Sequence, residues 1–142
     1  IKYTGRDYYS AQRLRHLLGK EVVFFAGCDE QLLCALVLGN VFSGGIGTTY
    51  NIIPAHFARI CALAEAGHFD EAAKIQDEAN RVVALMIESE NWSYRKAFMR
   101  YIGLDCGACR YPYAPLSEAE YETFARRIAE QGIVQAECGS SR

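Results

Sequence analysis

The sequence predicts an α/β protein in which three strand–helix units are followed by helices alone. Three observations carry this reading. Short apolar strand signals alternate with helix-spaced apolar residues as far as Asn51, glycines close the helix patterns at Gly19 and Gly39, and beyond Asn51 only helix patterns remain. Alternation of this kind marks parallel βα units, because a parallel strand reaches its neighbour only through a crossover, usually a helix.

The first strand is expected over Ile1 to Thr4. Tyr8, Ala11, Leu14, Leu17 and Leu18 then recur at helical spacing, with Gly19 as the C-terminal stop. The run Glu21-Val22-Val23-Phe24-Phe25-Ala26 reads as the second strand. Leu32, Leu33, Ala35, Leu36, Val37 and Leu38 form a helix apolar nearly all round, which suits burial against a sheet, and Gly39 ends it. A short third strand is expected around Gly44 to Gly47.

Pro54 opens the next helix, which runs to Ala66 and stops at Gly67. Asp70 is the expected N-cap of a long amphipathic helix with Ala72, Ile75, Ala79, Val82, Val83 and Met86 on its apolar stripe. A further helix covers Tyr94 to Tyr101 and stops at Gly103. Arg110-Tyr111-Pro112-Tyr113-Ala114-Pro115 is expected to be an extended connection, since proline keeps the preceding residue out of the helical region. The last helix begins at a capping box, Ser117 with Glu120, with Leu116 stapling against Tyr121. Residues 135–142 read as a disordered polar tail.

Parallel strands buried on both faces need neighbours, so three βα units do not stand alone. A doubly wound sheet would supply neighbours but usually marks its ligand site with a Gly-rich strand-to-helix turn. The other solution is a closed (β/α)₈ TIM barrel of about 250 residues. Residues 1–53 would then be barrel βα units carrying active-site strand ends, and 54–134 the last barrel helix and a carboxy-terminal helical extension. The opening Ile1-Lys2, without an initiator methionine, leads to the expectation that the chain is a piece of a longer polypeptide.

With 51% hydrophobic and 23% charged residues in 142, the composition is that of a globular chain able to bury a core. The net charge of −2 and the lack of like-charge runs disfavour nucleic acid and anionic membranes as partners. No apolar run reaches the roughly 18 residues of a membrane span, and a cytoplasmic location is expected. Of the six cysteines, Cys34 and Cys61 lie in apolar helical patterns and read as packing residues. Cys106 and Cys109 form a C-x-x-C with no second ligand pair, so no metal is expected. His16, His56 and His68 have no partners at ligand spacing and read as structural or exposed.

In a (β/α)₈ enzyme the chemistry sits at the carboxyl ends of the strands. Those positions here are Lys2 and Thr4, then Gly27-Cys28-Asp29-Glu30, then Gly47-Thr48-Thr49-Tyr50-Asn51, polar where apolar residues would be expected. A lysine inside a barrel is costly unless neutral or paired. Desolvation yields the free amine that attacks a ketone carbonyl, which is the chemistry of a Schiff base. Each position also has a plain reading: a lone lysine is usually a solvated surface group, Asp29 is placed to cap a helix, and Thr48-Thr49-Tyr50 would serve as an ordinary strand end.

Ile1-Lys2-Tyr3-Thr4-Gly5-Arg6-Asp7 resembles the strand-six motif of the dihydrodipicolinate synthase and N-acetylneuraminate lyase superfamily. Ala26-Gly27-Cys28-Asp29-Glu30 resembles the strand-seven G-x-D-E of the lyase branch, and Gly45-Ile46-Gly47-Thr48-Thr49-Tyr50-Asn51 its strand-eight G-x-G-S/T-T-Y-N. Arg110 to Pro115 is similar to the R-x-P-x-x-P connection before the family's last helix. The resemblance runs from Ile1 to about Val134 and implies strands six to eight of a TIM barrel. It also implies a class I aldolase that reversibly cleaves N-acetylneuraminate to N-acetylmannosamine and pyruvate, without a metal or organic cofactor. Lys2 would carry pyruvate as an imine, Thr4, Gly27, Asp29, Glu30 and Thr48 would border the sugar-derived part of the substrate, and Gly47 would also bind substrate. A homotetramer is implied as well, as is an amino-terminal half holding the pyruvate-carboxylate loop and a proton-shuttling tyrosine. The connection Gly39 to Gly45 is longer than the family's usual one, and Thr48 stands where many members have serine, so specificity is expected to shift. The alternatives are an aldolase, synthase or dehydratase of the same superfamily acting on another 2-oxo acid, or a non-catalytic homologue that binds pyruvate or a sugar acid.

Overall fold

A computed structural model describes residues 1–134. These fall into two compact units, Ile1–Asn80 and the residues from Arg81 onward. The expected disordered tail, residues 135–142, lies outside the described residues.

In the first unit, β1 (Lys2–Tyr3) leads through α1 (Tyr8–Leu18) to β2 (Phe25–Ala26). A 3₁₀ turn at Asp29–Gln31 runs into α2 (Leu32–Val37), and a second 3₁₀ turn at Thr49–Asn51 precedes α3 (Pro54–Glu65). Helix α4 (Phe69–Ile87) begins in this unit. The strands β1 and β2 are parallel, with Lys2 opposite Phe25 and Tyr3 opposite Ala26. The expected third strand is present as one parallel bridge between Ala26 and Gly45. Ala26 N donates to Gly44 O (2.9 Å) and Ile46 N to Ala26 O (2.8 Å), so the chain runs β1, β2, bridge in parallel order. Strand signals therefore fall in the expected places but yield shorter strands: only Phe25–Ala26 of the apolar run 21–26 is regular.

Local chemistry explains the helix ends. Asp7 caps α1, accepting from Ser10 N at 3.2 Å and from Ser10 Oγ at 2.5 Å, and Gly19 stops it at φ 74°. The amphipathic stripe predicted for α1 is only partly covered within this chain: Ala11 is buried and Tyr8 half-buried, while Leu14, Leu17 and Leu18 are exposed. Pro54 stands in the first turn of α3, where its missing N–H costs nothing. Asp70 is not a cap: α4 starts one residue earlier, and Ala72 N donates to His68 O at 3.0 Å. Asp70 and Glu71 instead lie in the first turn, where negative charge suits the helix dipole.

The core of this unit gathers Phe24, Leu32, Ile52, Ile53, Phe57 and Ile60, with Ala72 and Ala79 from α4. Tyr3 packs near Phe42, ring centroids 6.2 Å apart, on the face of β1 opposite to Lys2 and Thr4.

In the second unit α5 (Ser93–Tyr101) and α6 (Glu118–Gln131) pack through aromatic edges. Phe98 meets Phe124 at 5.0 Å and 89°, and Tyr94 meets Phe124 at 4.9 Å and 70°. The capping box of α6 forms as the sequence predicts: Ser117 N donates to Glu120 Oε2 (2.7 Å) and Glu120 N to Ser117 Oγ (3.3 Å). The 110–115 connection is not extended throughout. Tyr113 N donates to Arg110 O at 3.2 Å across a cis Tyr111–Pro112 bond, so the chain turns there.

Candidate active site

The carboxyl ends of β1, β2 and the Gly45 bridge bring the predicted polar positions together within the first unit. Successive residues of a strand point to opposite faces, so Lys2 and Thr4 share one face of β1. Both side chains lie against Gly27, the residue that follows β2. A Cβ at Gly27 would stand 2.3 Å from Thr4 Cγ2 and 2.9 Å from Lys2 Cε. Gly27 is thus the floor on which the lysine stem and the threonine methyl rest, and Gly27 N anchors it by donating to Tyr3 O at 2.8 Å.

The same device recurs one position along the sheet. A Cβ at Gly47 would fall 1.5 Å from Asp29 Oδ1, so only a bare α-carbon leaves room for that carboxylate. Asp29 is buried, and its Oδ2 accepts from Thr49 N at 2.9 Å and Thr49 Oγ1 at 2.5 Å. Asp29 stands at the start of its own 3₁₀ turn, yet its side chain satisfies the first N–H of the other turn, Thr49–Asn51. The carboxylate therefore locks the end of β2 to the segment after the bridge.

Around this lock the remaining positions differ in exposure. Glu30 is half-buried and pairs with Arg6 (Nη2 to Oε1, 3.6 Å). Thr48 is exposed, and its carbonyl accepts from Asn51 Nδ2 at 3.0 Å. Lys2 and Thr4 are also exposed; the water-poor cavity that the sequence leads one to expect around Lys2 is not formed by the described residues. Cys28 donates through Sγ to Thr4 O at 3.3 Å, tying the ends of β1 and β2. Burial pushes its thiol pKa up, and the neighbouring Glu30 adds to that, so it is a neutral donor at pH 7 rather than a nucleophile.

Tyr50 packs against Phe57 with centroids 4.1 Å apart and ring planes tilted by 45°. Its hydroxyl is buried without a hydrogen-bond partner among the described residues. Burial first, then the charge of Asp29, raises its pKa well above the ordinary tyrosine value. Tyr8 donates to Gln31 Oε1 at 3.0 Å, and burial pushes its pKa up to about 12. Both phenols stay protonated at neutral pH.

Three contributors are not among the site residues expected from the sequence. Thr49, not the adjacent Thr48, holds Asp29. Gln76 and Asn80 reach the Asp29–Glu30 turn from α4: Gln76 Nε2 donates to Asp29 O at 3.1 Å, and Asn80 Nδ2 to Glu30 O at 3.4 Å. The available signal was a glutamine one residue beyond Ile75, flanking an otherwise apolar helical stripe. Among the described residues no group of three or more His, Cys, Asp or Glu is placed to hold a metal ion. Nor is any helix among them long and apolar enough to cross a membrane.

A profile of the dihydrodipicolinate synthetase family matches residues 1–131. The N-acetylneuraminate lyase of Fusobacterium nucleatum is 35% identical over 128 residues, covering 90% of this chain and 43% of the relative. That of Rhizobium meliloti is 33% identical over 129 residues, covering 91% and 42%. The crystal structure of the Fusobacterium lyase superposes with a TM-score of 0.78 at 34% identity, over 92% of this chain and 44% of its own; another structure of it is a complex with pyruvate. The chain spans less than half the length of these relatives.

Proposed function

The chain belongs to the dihydrodipicolinate synthetase family, and from that premise we propose that it forms the Lys2-bearing part of a Schiff-base aldolase acting on N-acetylneuraminate. The observation that carries this is the convergence of Lys2 and Thr4 on Gly27, beside the carboxylate of Asp29 seated on Gly47. An amine, hydroxyls and carboxylates on adjoining strand ends are what cleavage of a polyhydroxylated 2-oxo acid requires. The lyase identity of the two curated relatives supports the substrate class.

In this reading residues 1–53 supply strands six to eight of a (β/α)₈ barrel with their connections. Residues 54–134 supply the last barrel helix and the carboxy-terminal extension. The rest of the polypeptide closes the barrel and covers Lys2, and that desolvation gives the free amine at neutral pH. The exposed Leu14, Leu17 and Leu18 of α1 support the need for such cover.

The Lys2 amine adds to the ketone carbonyl and water leaves, giving a protonated imine. The electron pair of the breaking carbon–carbon bond then moves into that imine to form an enamine. The hydroxyl on the departing carbon loses its proton and becomes the aldehyde of N-acetylmannosamine. Protonation of the enamine carbon and addition of water release pyruvate and restore the amine. Thr4, Gly27, Asp29, Glu30, Gly47 and Thr48 border the sugar-derived end, where hydrogen-bonding groups reject analogues that lack hydroxyls. The imine is the only electron sink the reaction needs, so no metal or organic cofactor takes part. We assign the protein to the cytoplasm as a homotetramer, following the same family reading.

Borohydride reduction in the presence of pyruvate tests this in the full-length protein. A reduced pyruvate adduct on the peptide containing Lys2, absent in Lys2→Ala, is expected. An unmodified Lys2 in folded protein overturns the reading.

A further inference from the structure

Gln76 is buried on a helix whose other buried residues in this unit are the alanines at 72 and 79. A buried carboxamide costs stability unless every donor and acceptor is used, and here the use is specific. In a continuous α-helix starting at Asp29, Leu33 N would donate to Asp29 O. The chain breaks that pattern: Gln31 sits at φ −121°, ψ 14°, and Asp29 O instead accepts from Leu32 N in the tighter 3₁₀ manner. The parted groups both turn to Gln76. Leu33 N donates to its Oε1 at 3.0 Å, and its Nε2 donates to Asp29 O at 3.1 Å. The side-chain amide therefore splices the break between the turn and α2 as an inserted peptide unit would.

Asn80, one helical turn further on, fixes which way that amide points. Its Oδ1 accepts the second Gln76 N–H at 2.8 Å, and its Nδ2 donates to Glu30 O at 3.4 Å. Rotating the Gln76 amide would set oxygen against Asp29 O and nitrogen against Leu33 N, so the pair reads the backbone in one sense only. Asp29 is then held at both ends, its carboxylate by Thr49 and its carbonyl by Gln76. Glu30 is held likewise, by Arg6 and Asn80.

We propose that Gln76, oriented by Asn80, is the positioning residue for the Asp29–Glu30 pair, and through it sets recognition of the hydroxylated end of the substrate while leaving the Lys2 amine untouched. This deepens the aldolase reading and rests on it. Helix α4 thereby acts on specificity without touching the substrate.

The test uses Gln76→Leu and Asn80→Ala in the full-length protein, with pyruvate trapping, cleavage kinetics and hydrogen exchange measured on each. For Gln76→Leu, KM for N-acetylneuraminate is expected to rise about tenfold with kcat changed far less, the pattern of lost substrate positioning. Trapping of pyruvate at Lys2 should match the wild type. Asn80→Ala, which removes the partner that orients Gln76 together with the long hydrogen bond to Glu30 O but leaves the Gln76 splice in place, should shift KM in the same direction by about threefold. Exchange should quicken in peptides spanning residues 29–36 and stay unchanged over 8–18. An unchanged KM, or a parallel fall of kcat and pyruvate trapping, overturns the proposal. If the wild type traps no pyruvate, the aldolase reading fails by itself, and unaltered exchange over 29–36 in Gln76→Leu then overturns the positioning role separately.

Discussion

The strand-end region of the first unit and the α5–α6 region of the second are built on opposite plans. In the first, the polar groups that define the site are joined across long stretches of chain: Asp29 to Thr49 across 20 residues, and Gln76 to Leu33 and Asp29 across 43 and 47. In the second, the start of α6 is settled within three residues by Ser117 and Glu120, the helices meet at the Phe98–Phe124 edge contact, and a longer polar tie such as Arg100 to Glu118, 18 residues apart, lies on the surface. Long-range polar ties fix where a side chain stands, whereas local caps and ring packing fix only that a helix exists. A substitution in the first plan should therefore disturb geometry and function, and one in the second chiefly stability.

Four substitutions or conditions break or sharpen that contrast in the full-length protein. Phe98→Ala should be the costliest, about 3–5 kcal/mol by urea unfolding, because it empties a fully buried aromatic site. Any folded remainder should still trap pyruvate at Lys2. Gly47→Ala should cost roughly 2–4 kcal/mol, since the methyl displaces the Asp29 carboxylate and strands the Thr49 N–H. Unlike Phe98→Ala, it should depress kcat/KM beyond what the lost stability explains, and kinetics at a temperature where both variants are folded would decide. Ser117→Ala removes a helix cap and should cost about 1 kcal/mol, read as a lower Tm with unaltered kinetics.

The smallest effect is one of pH. Hydrogen bonds from Arg100 hold the Glu118 carboxyl below its usual 4.5, and those from Ser117 do the same for Glu120. Folded-state values lower than the unfolded ones mean that this stabilisation is complete above about 4.5 and is lost as pH falls through the lowered values. Both groups lie on the surface, so added salt should shrink the contribution of the Arg100–Glu118 pair. A Tm that stays flat from about pH 6 to about pH 3 would show that these contacts add nothing.

The same contrast explains what could be read from the sequence. The capping box at Ser117, the stops at Gly19 and Gly103 and the proline start of α3 were legible because each is settled by residues within one turn. The polar strand ends were legible as a set because polar residues broke the expected apolar pattern at Gly27 to Glu30 and Gly47 to Asn51. Asp70 is ambiguous in the sequence because an acidic residue favours both the cap and the first turn, and the structure places it in the first turn. The turn at Arg110–Tyr113 departs from the extended expectation because Tyr113 N bonds back to Arg110 O, whereas the rule on residues before proline only disfavours the helical region and does not choose between an extended segment and a turn.

What the sequence by itself determined is the order of the elements, most of the helix termini and the family, since these rest on local chemistry and on short motifs. Only the tertiary structure decided that Thr49 rather than Thr48 binds Asp29, that Gly27 and Gly47 are floors for side chains of neighbouring strands, and that Gln76 mends the break before α2. The physical reason is distance along the chain. A hydrogen bond between residues dozens of positions apart leaves no periodic trace in the sequence, and becomes visible once the backbone brings the partners within about 3 Å.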